Sequence, residues 1–177
     1  MNSELLRYPI GRFVASDKIT KADRELFIND IESIPDKIKA AVAGLTDKQL
    51  DTRYRPDGWT LRQVVHHLPD SHLNSYIRFK WAVTESQPII KAYDEKDWAG
   101  LSDATTAPVE ISIAMLAGIH GRWVWFLRSL KESDWKKCFT HPETNKLIPL
   151  DKNLSLYAWH GKHHLGHILA LKKKKNW

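Results

Sequence analysis

The stretch Asp57-Gly58-Trp59-Thr60-Leu61-Arg62-Gln63-Val64-Val65-His66-His67-Leu68 decides the fold. Thr60 can cap a helix through its side chain while Gln63, three residues on, reaches back to it. Trp59, just before the cap, is placed to staple onto Val64. A long helix therefore starts here and runs from about Leu61 to Thr84. Pro69 lies inside it, without an amide hydrogen and crowding the carbonyl of Val65, which predicts a kink just beyond His66 and His67.

Upstream, Phe27, Ile31, Ile34, Ile38, Val42 and Leu45 recur at spacings of three and four, so a second amphipathic helix is expected from Lys21 to Leu45. Pro35 should bend it or break it in two. Thr46-Asp47-Lys48-Gln49 offers another capping box, for a short turn ending near Leu50. The first eighteen residues, with Pro9 and Gly11, hold no period and read as an extended arm. Downstream, Glu85 to Thr106 is too long for an ordinary helix-helix loop, and connections of that length usually cover something. A third helix runs from about Pro108 to Lys131 on a stripe of Ser112, Leu116, Ile119, Trp123, Phe126 and Leu130. Thr140 to Lys146 is turn chemistry for a small hairpin, and the last helix runs from about Asp151 to Lys174. Four long helices, long connections and no run of alternating strands predict an all-α chain: a four-helix bundle with long crossover connections.

Composition agrees. A chain of 177 residues suits one domain, expected over 1–177, and its 42% apolar and 27% charged residues exclude a disordered or low-complexity class. No apolar run is long enough to cross a bilayer, and Met1 to Arg7 lacks the apolar stretch of a signal peptide, so no membrane partner is expected. Cys138 stands alone, which excludes an internal disulfide and a multi-cysteine zinc site and fits a cytoplasmic home. The net charge of +6 raises nucleic acid as a partner, but the one dense basic run, Lys172 to Lys175, suits the last turn of a helix and a solvated chain end. No nucleic-acid partner is expected.

The unusual numbers are nine histidines and eight tryptophans. On the last helix His160, His164 and His167 share one face with Tyr157 and Leu171, while His163 sits at its edge. Imidazoles on a core face need partners, and a divalent metal is one. His160 and His164, at i and i+4, can grip a single ion. The first helix quoted supplies a third ligand from His66 or His67, and periodicity alone does not choose between them. Taken singly, His72, His120 and His141 read as structural. His160-Gly161-Lys162-His163-His164 lacks the glutamate of the zincin motif, so that protease chemistry is excluded. No Glu-x-x-His pair for a di-iron bundle and no glycine-rich phosphate loop are present.

The segment from Asp57 to Leu68, continuing through Asp70-Ser71-His72 to Lys80, resembles the second helix of the YfiT proteins of the DinB superfamily. Arg7-Tyr8-Pro9-Ile10-Gly11, Tyr93-Asp94-Glu95-Lys96, His120-Gly121-Arg122-Trp123, His141-Pro142 and Trp159-His160 through His167-Ile168 recur in the same order. The resemblance spans nearly the whole chain; Pro69 departs from it, standing where a small helix former is expected. It implies a bundle holding one divalent metal, Zn2+ or Ni2+, on three histidines. Counted from Trp59, the resemblance places one of them on His67, and it places the other two on His160 and His164. It also implies a cytoplasmic homodimer and a metal-dependent hydrolase acting on a small-molecule substrate.

An ion on three neutral ligands keeps open positions, where it lowers the pKa of bound water toward ~7 or ionises a bound thiol. Relatives that transfer a low-molecular-weight thiol such as bacillithiol to electrophiles make a metal-dependent thiol S-transferase the alternative. A metal-stabilised bundle that binds ligand without catalysis is a third reading. Asp70, His66 and His163 are the candidates to orient a ligand or shuttle a proton.

Overall fold

The computed structural model describes residues 3–177; Met1 and Asn2, at the tip of the expected arm, lie outside the described residues. In chain order the elements are α1 (Ser3–Arg7), α2 (Lys21–Val42), α3 (Asp47–Leu50), α4 (Leu61–Thr84), α5 (Glu95–Ala99), α6 (Ser102–Thr106), α7 (Val109–Ser129), a 3-10 turn (Asp134–Lys136), β1 (Cys138–His141), β2 (Lys146–Pro149) and α8 (Leu150–Lys175). The long helices α2, α4, α7 and α8 form a four-helix bundle in which α2 and α4 each pack against both α7 and α8.

Local chemistry sets the helix starts. Capping boxes close α2 with Thr20 and Asp23, α3 with Thr46 and Gln49, and α4 with Thr60 and Gln63. The second helix ends at Val42 rather than at Leu45, because Gly44 takes the left-handed backbone (φ +74°) that stops a helix. At the other end of the chain, Asn176 does the same for α8 (φ 55°), with Lys172 to Lys175 in the last turn as the dipole favours.

The break that Pro35 left open does not occur. Neither Pro35 nor Pro69 splits its helix: α2 and α4 run through them. Each proline is buried, and the fully buried neighbours Ile31, Ile34 and Ile38 of α2 and Leu68 of α4 hold the backbone by packing. The arm is also less extended than expected. Its start is the helical turn α1, tied back by an ion pair from Arg12 Nε to Glu4 at 2.7 Å.

The connections carry structure of their own. The expected hairpin forms as antiparallel β1 and β2, with Phe139 opposite Ile148. Residues 85–108 hold α5 and α6, the first capped by Asp94, whose carboxylate accepts from the amides of Lys96 and Asp97. Two apolar clusters fill the bundle. One gathers Ile28, Ile31, Phe79, Trp123, Leu154 and Tyr157; the other gathers Ile34, Ile38, Leu61, Val64, Leu116 and Ile168. Among the described residues, no helix is long and apolar enough to cross a membrane.

Candidate metal centre

The histidines converge where α4 meets α8. His67 Nε2 lies 3.3 Å from His160 Nε2, and His164 Nε2 lies 3.2 Å from that same atom. All three ligand atoms fall within 4.8 Å of one another. Zinc bonds imidazole nitrogen at about 2.0–2.1 Å, so two such ligands on a tetrahedral ion stand about 3.3 Å apart. The two pairs through His160 match that edge and the third lies within 4.8 Å, so the donor set fits a divalent cation in spacing and in chemistry.

Packing explains the convergence. Gly161 follows His160 because α8 runs against α2: a Cβ there would stand 2.8 Å from Ile34 Cγ1. Gly166 serves the arm similarly, with Pro9 Cγ only 3.0 Å from where its Cβ would be. The Arg7 carbonyl accepts from His167 Nε2–H at 3.1 Å, which fastens the arm beside the three histidines. They open on a cavity of about 370 Å³ whose other walls include Tyr8, Tyr54, Arg55, Trp59, Trp159 and His163. A second cavity, of about 450 Å³, shares His160, Glu95 and Lys96 with the first and reaches Tyr93, Arg78 and His141. The long connection between α4 and α7 thus lines the site, as its length suggested.

Burial keeps these rings neutral. It pushes His67 down to about 4, and His160 and His164 well below the ordinary histidine value, with the neighbouring histidines adding to the shift for the last two. Neutral imidazole is the form that ligates metal.

The structure separates His66 from His67. His67 turns toward α8 and lies beside Trp59, its ring tilted 52° to the indole with centroids 4.7 Å apart. His66 faces α7 instead: its Nε2–H donates to the Ala107 carbonyl at 3.1 Å, and its Nδ1 accepts from the Ser112 hydroxyl at 2.6 Å. Both ring nitrogens of His66 are thus engaged away from the three histidines, and it is not among the residues lining either cavity. Asp70 is half-buried, its carboxyl pushed up to about 6 by burial and by Asp103, and it is not among the residues lining either cavity. His163 does line the first cavity, stacked on Trp159 with centroids 4.4 Å apart and pushed down to about 4 by burial.

Two histidines read singly as structural belong to the site's surroundings. His72 Nε2 lies 3.1 Å from His160 Nδ1, and His120 Nε2 lies 2.9 Å from His72 Nδ1. The arm and the Tyr54-Arg55 turn were also not anticipated as cavity walls; Tyr8 and Arg7 lie in a segment whose period gives no signal of it.

The match to known proteins is extensive. The DinB superfamily model covers residues 30–168. The chain belongs to the DinB superfamily. Within it, the Bacillus subtilis (strain 168) protein named "Putative metal-dependent hydrolase YfiT" is 48% identical over 177 residues, covering 100% of this chain and 99% of that one. A relative of the same description from Oceanobacillus iheyensis is 50% identical over 171 residues, covering 97% of this chain and 98% of its own. The solved structure of Bacillus subtilis YfiT, described as "a probable metal-dependent hydrolase with an unusual four-helix bundle topology", superposes with a TM-score of 0.95 at 48% identity, over 98% of this chain and 99% of that one. The DinB fold and the bundle described above are therefore the same architecture.

Proposed function

We propose that this chain is a metal-dependent hydrolase of the YfiT type, a single domain in which His67, His160 and His164 hold one divalent ion, Zn2+ or Ni2+. The observation that carries the reading is the approach of three imidazole nitrogens, from buried His67 and His164 and half-buried His160, two pairs at 3.2 and 3.3 Å, at the edge of an open cavity. A cation held there supplies Lewis acidity and lowers the pKa of a coordinated water toward ~7.

The chain's own residues do the rest. The three neutral rings leave the ion's charge uncompensated, which keeps it electrophilic. Trp59 walls the site beside His67 and His164 and excludes bulk water from that side. Arg7, Arg55 and Lys96 give the first cavity a cationic lining, opposed by Asp57 and Glu95, which suits a polar, acceptor-rich small molecule. Tyr8, Tyr54 and Trp159 offer it flat apolar faces. His163, neutral and on the cavity wall, is the proton-transfer residue in this reading; Asp70 acts at most through an intermediary.

A homodimer in the cytoplasm fits the same reading. Ile111, Met115 and Trp125 stand 62%, 40% and 83% exposed on one stripe of α7, an apolar face of the kind that partner surfaces cover.

The test is an ester and amide panel with metal-loaded protein, run beside a low-molecular-weight thiol with a haloalkyl compound or an epoxide. Metal-dependent hydrolysis supports the proposal. Metal-dependent conjugation without hydrolysis replaces it with thiol S-transfer, and a coordinatively closed ion without either activity replaces it with a metal-stabilised binding bundle.

A further inference from the structure

Pro35, in the middle of α2, has no amide hydrogen to give, so the carbonyl of Ile31, four residues earlier, lacks its helical donor. His120 on α7 takes that place, with Nδ1 2.6 Å from the Ile31 oxygen. A ring nitrogen facing a carbonyl must carry the hydrogen, because a carbonyl has none to offer. Next in line, His72 Nδ1 lies 2.9 Å from His120 Nε2, and His160 Nδ1 lies 3.1 Å from His72 Nε2.

Hydrogen-bond direction then follows from one end. His72 and His120 are 0% and 1% exposed, and among the described residues no carboxylate is bonded to either ring. A charged imidazole here would carry an uncompensated desolvation cost, so each ring holds one hydrogen. With Nδ1–H of His120 committed to Ile31, its Nε2 is bare and accepts from Nδ1–H of His72. His72 Nε2 is then bare and accepts from Nδ1–H of His160. Of these three rings, the one nitrogen left with a free lone pair is His160 Nε2, the atom that faces both His67 Nε2 and His164 Nε2.

We propose that His72 and His120 are positioning residues: a two-histidine relay, anchored on the carbonyl that Pro35 frees, holds His160 as the Nδ1–H tautomer with Nε2 aimed at the metal position. This rests on the three-histidine reading above. Its direction has a consequence, because the terminal carbonyl cannot take up a proton. The relay orients and polarises His160 and carries no proton away. His164 has no such support, since its buried Nδ1 meets no hydrogen-bond partner among the described residues. Engaging the second nitrogen of a metal-binding histidine raises its basicity and fixes its ring, and losing such a partner typically costs 10–100-fold in metal affinity.

The experiment pairs nitrogen NMR of 15N-histidine protein with zinc titration against a competing chelator. In metal-free protein the His160 resonances should show hydrogen on Nδ1 and none on Nε2. His72→Phe should weaken zinc about 10–100-fold. His72→Gln should restore most of that loss, since its amide oxygen can accept from His160 while its NH2 donates to His120. Hydrogen on Nε2 of His160 overturns the proposal. So does zinc binding by His72→Phe as tight as in the parent, or a glutamine variant no better than the phenylalanine one, which would reduce His72 to a space filler. If His72→Phe does not fold by circular dichroism, the His160 spectrum and the glutamine variant decide. Failure of the parent protein to bind zinc would refute the metal site itself, while the metal-free spectrum still tests the relay.

Discussion

Replacing Gly161 with alanine should loosen the bundle at the point where the site is built. A Cβ at 161 would stand 2.8, 3.2 and 3.3 Å from three side-chain carbons of Ile34. Ile34 is fully buried, and its β-branched side chain has one strongly preferred rotamer in a helix, so it cannot swing aside. Inserting a methyl group into such packing costs about 1–3 kcal/mol. Alanine returns about 0.8–1 kcal/mol over glycine through helix propensity, which leaves a net loss of about 0–2 kcal/mol. Gly118 and Gly121 on α7 provide the internal control, because a Cβ at either meets nothing within 4 Å. Alanine at those positions should gain up to about 1 kcal/mol. The propensity gain is common to all three sites, so the difference between Gly161→Ala and Gly118→Ala isolates the clash, at about 1–3 kcal/mol. Urea denaturation of metal-free protein reads it as a shift in midpoint at constant slope. Equal gains at all three glycines would refute the close approach of α8 to α2. The same crowding shows why no glutamate stands after His160: a side chain has no room there.

Acidification should destabilise the metal-free protein. His67, His120, His163 and His167 are each pushed down to about 4, chiefly by burial, from the ordinary 6.5. Their stabilisation is complete above pH 6.5 and is lost as pH falls toward 4, because the unfolded chain takes up protons that the folded rings refuse. Asp70, raised to about 6, works the other way, its share fading as pH rises from 3.8 through 6, but it is one group against four. Urea midpoints that stay flat between pH 6.5 and 4 would contradict this account. Ser112→Ala should leave His66 Nδ1 without its donor and cost about 1–3 kcal/mol, with zinc stoichiometry unchanged. Loss of bound zinc in that variant, by elemental analysis, would put His66 back in the site. Arg62→Met removes a buried guanidinium bonded to Asp47, Asp51 and the Ala107 carbonyl. Both carboxylates are solvent-exposed, so the loss should stay near 1–3 kcal/mol, rather than the ~3–5 kcal/mol of a fully buried pair. A thermal melt unchanged within error would refute that bonding.

The bundle was legible because its helices announce themselves locally. Thr46 with Gln49 and Thr60 with Gln63 cap as the sequence predicts, and the apolar spacing of α2, α7 and α8 gives their buried faces. At Pro35 the sequence left a bend or a break open, because a missing donor is a local signal, whereas the packing of Ile31, Ile34 and Ile38 that carries α2 through it is tertiary. The choice between His66 and His67 was illegible for a related reason. Both are buried, and only the rotation of α4 between α7 and α8 sends one ring to Ser112 and the other to His160. His72 and His120 gave no signal as single residues, since their meaning lies in contacts 48 and 88 residues apart in sequence.

The central claim is that three histidines from two helices share one ion. A zinc-loaded crystal, with anomalous difference maps recorded on both sides of the zinc edge, tests it most directly. The account predicts one peak per chain, within bonding distance of the Nε2 atoms of His67, His160 and His164, with its remaining coordination turned toward the cavity of Tyr8, Trp59 and Trp159. A peak elsewhere, or those three rings bonded only to one another with no ion between them, would contradict it.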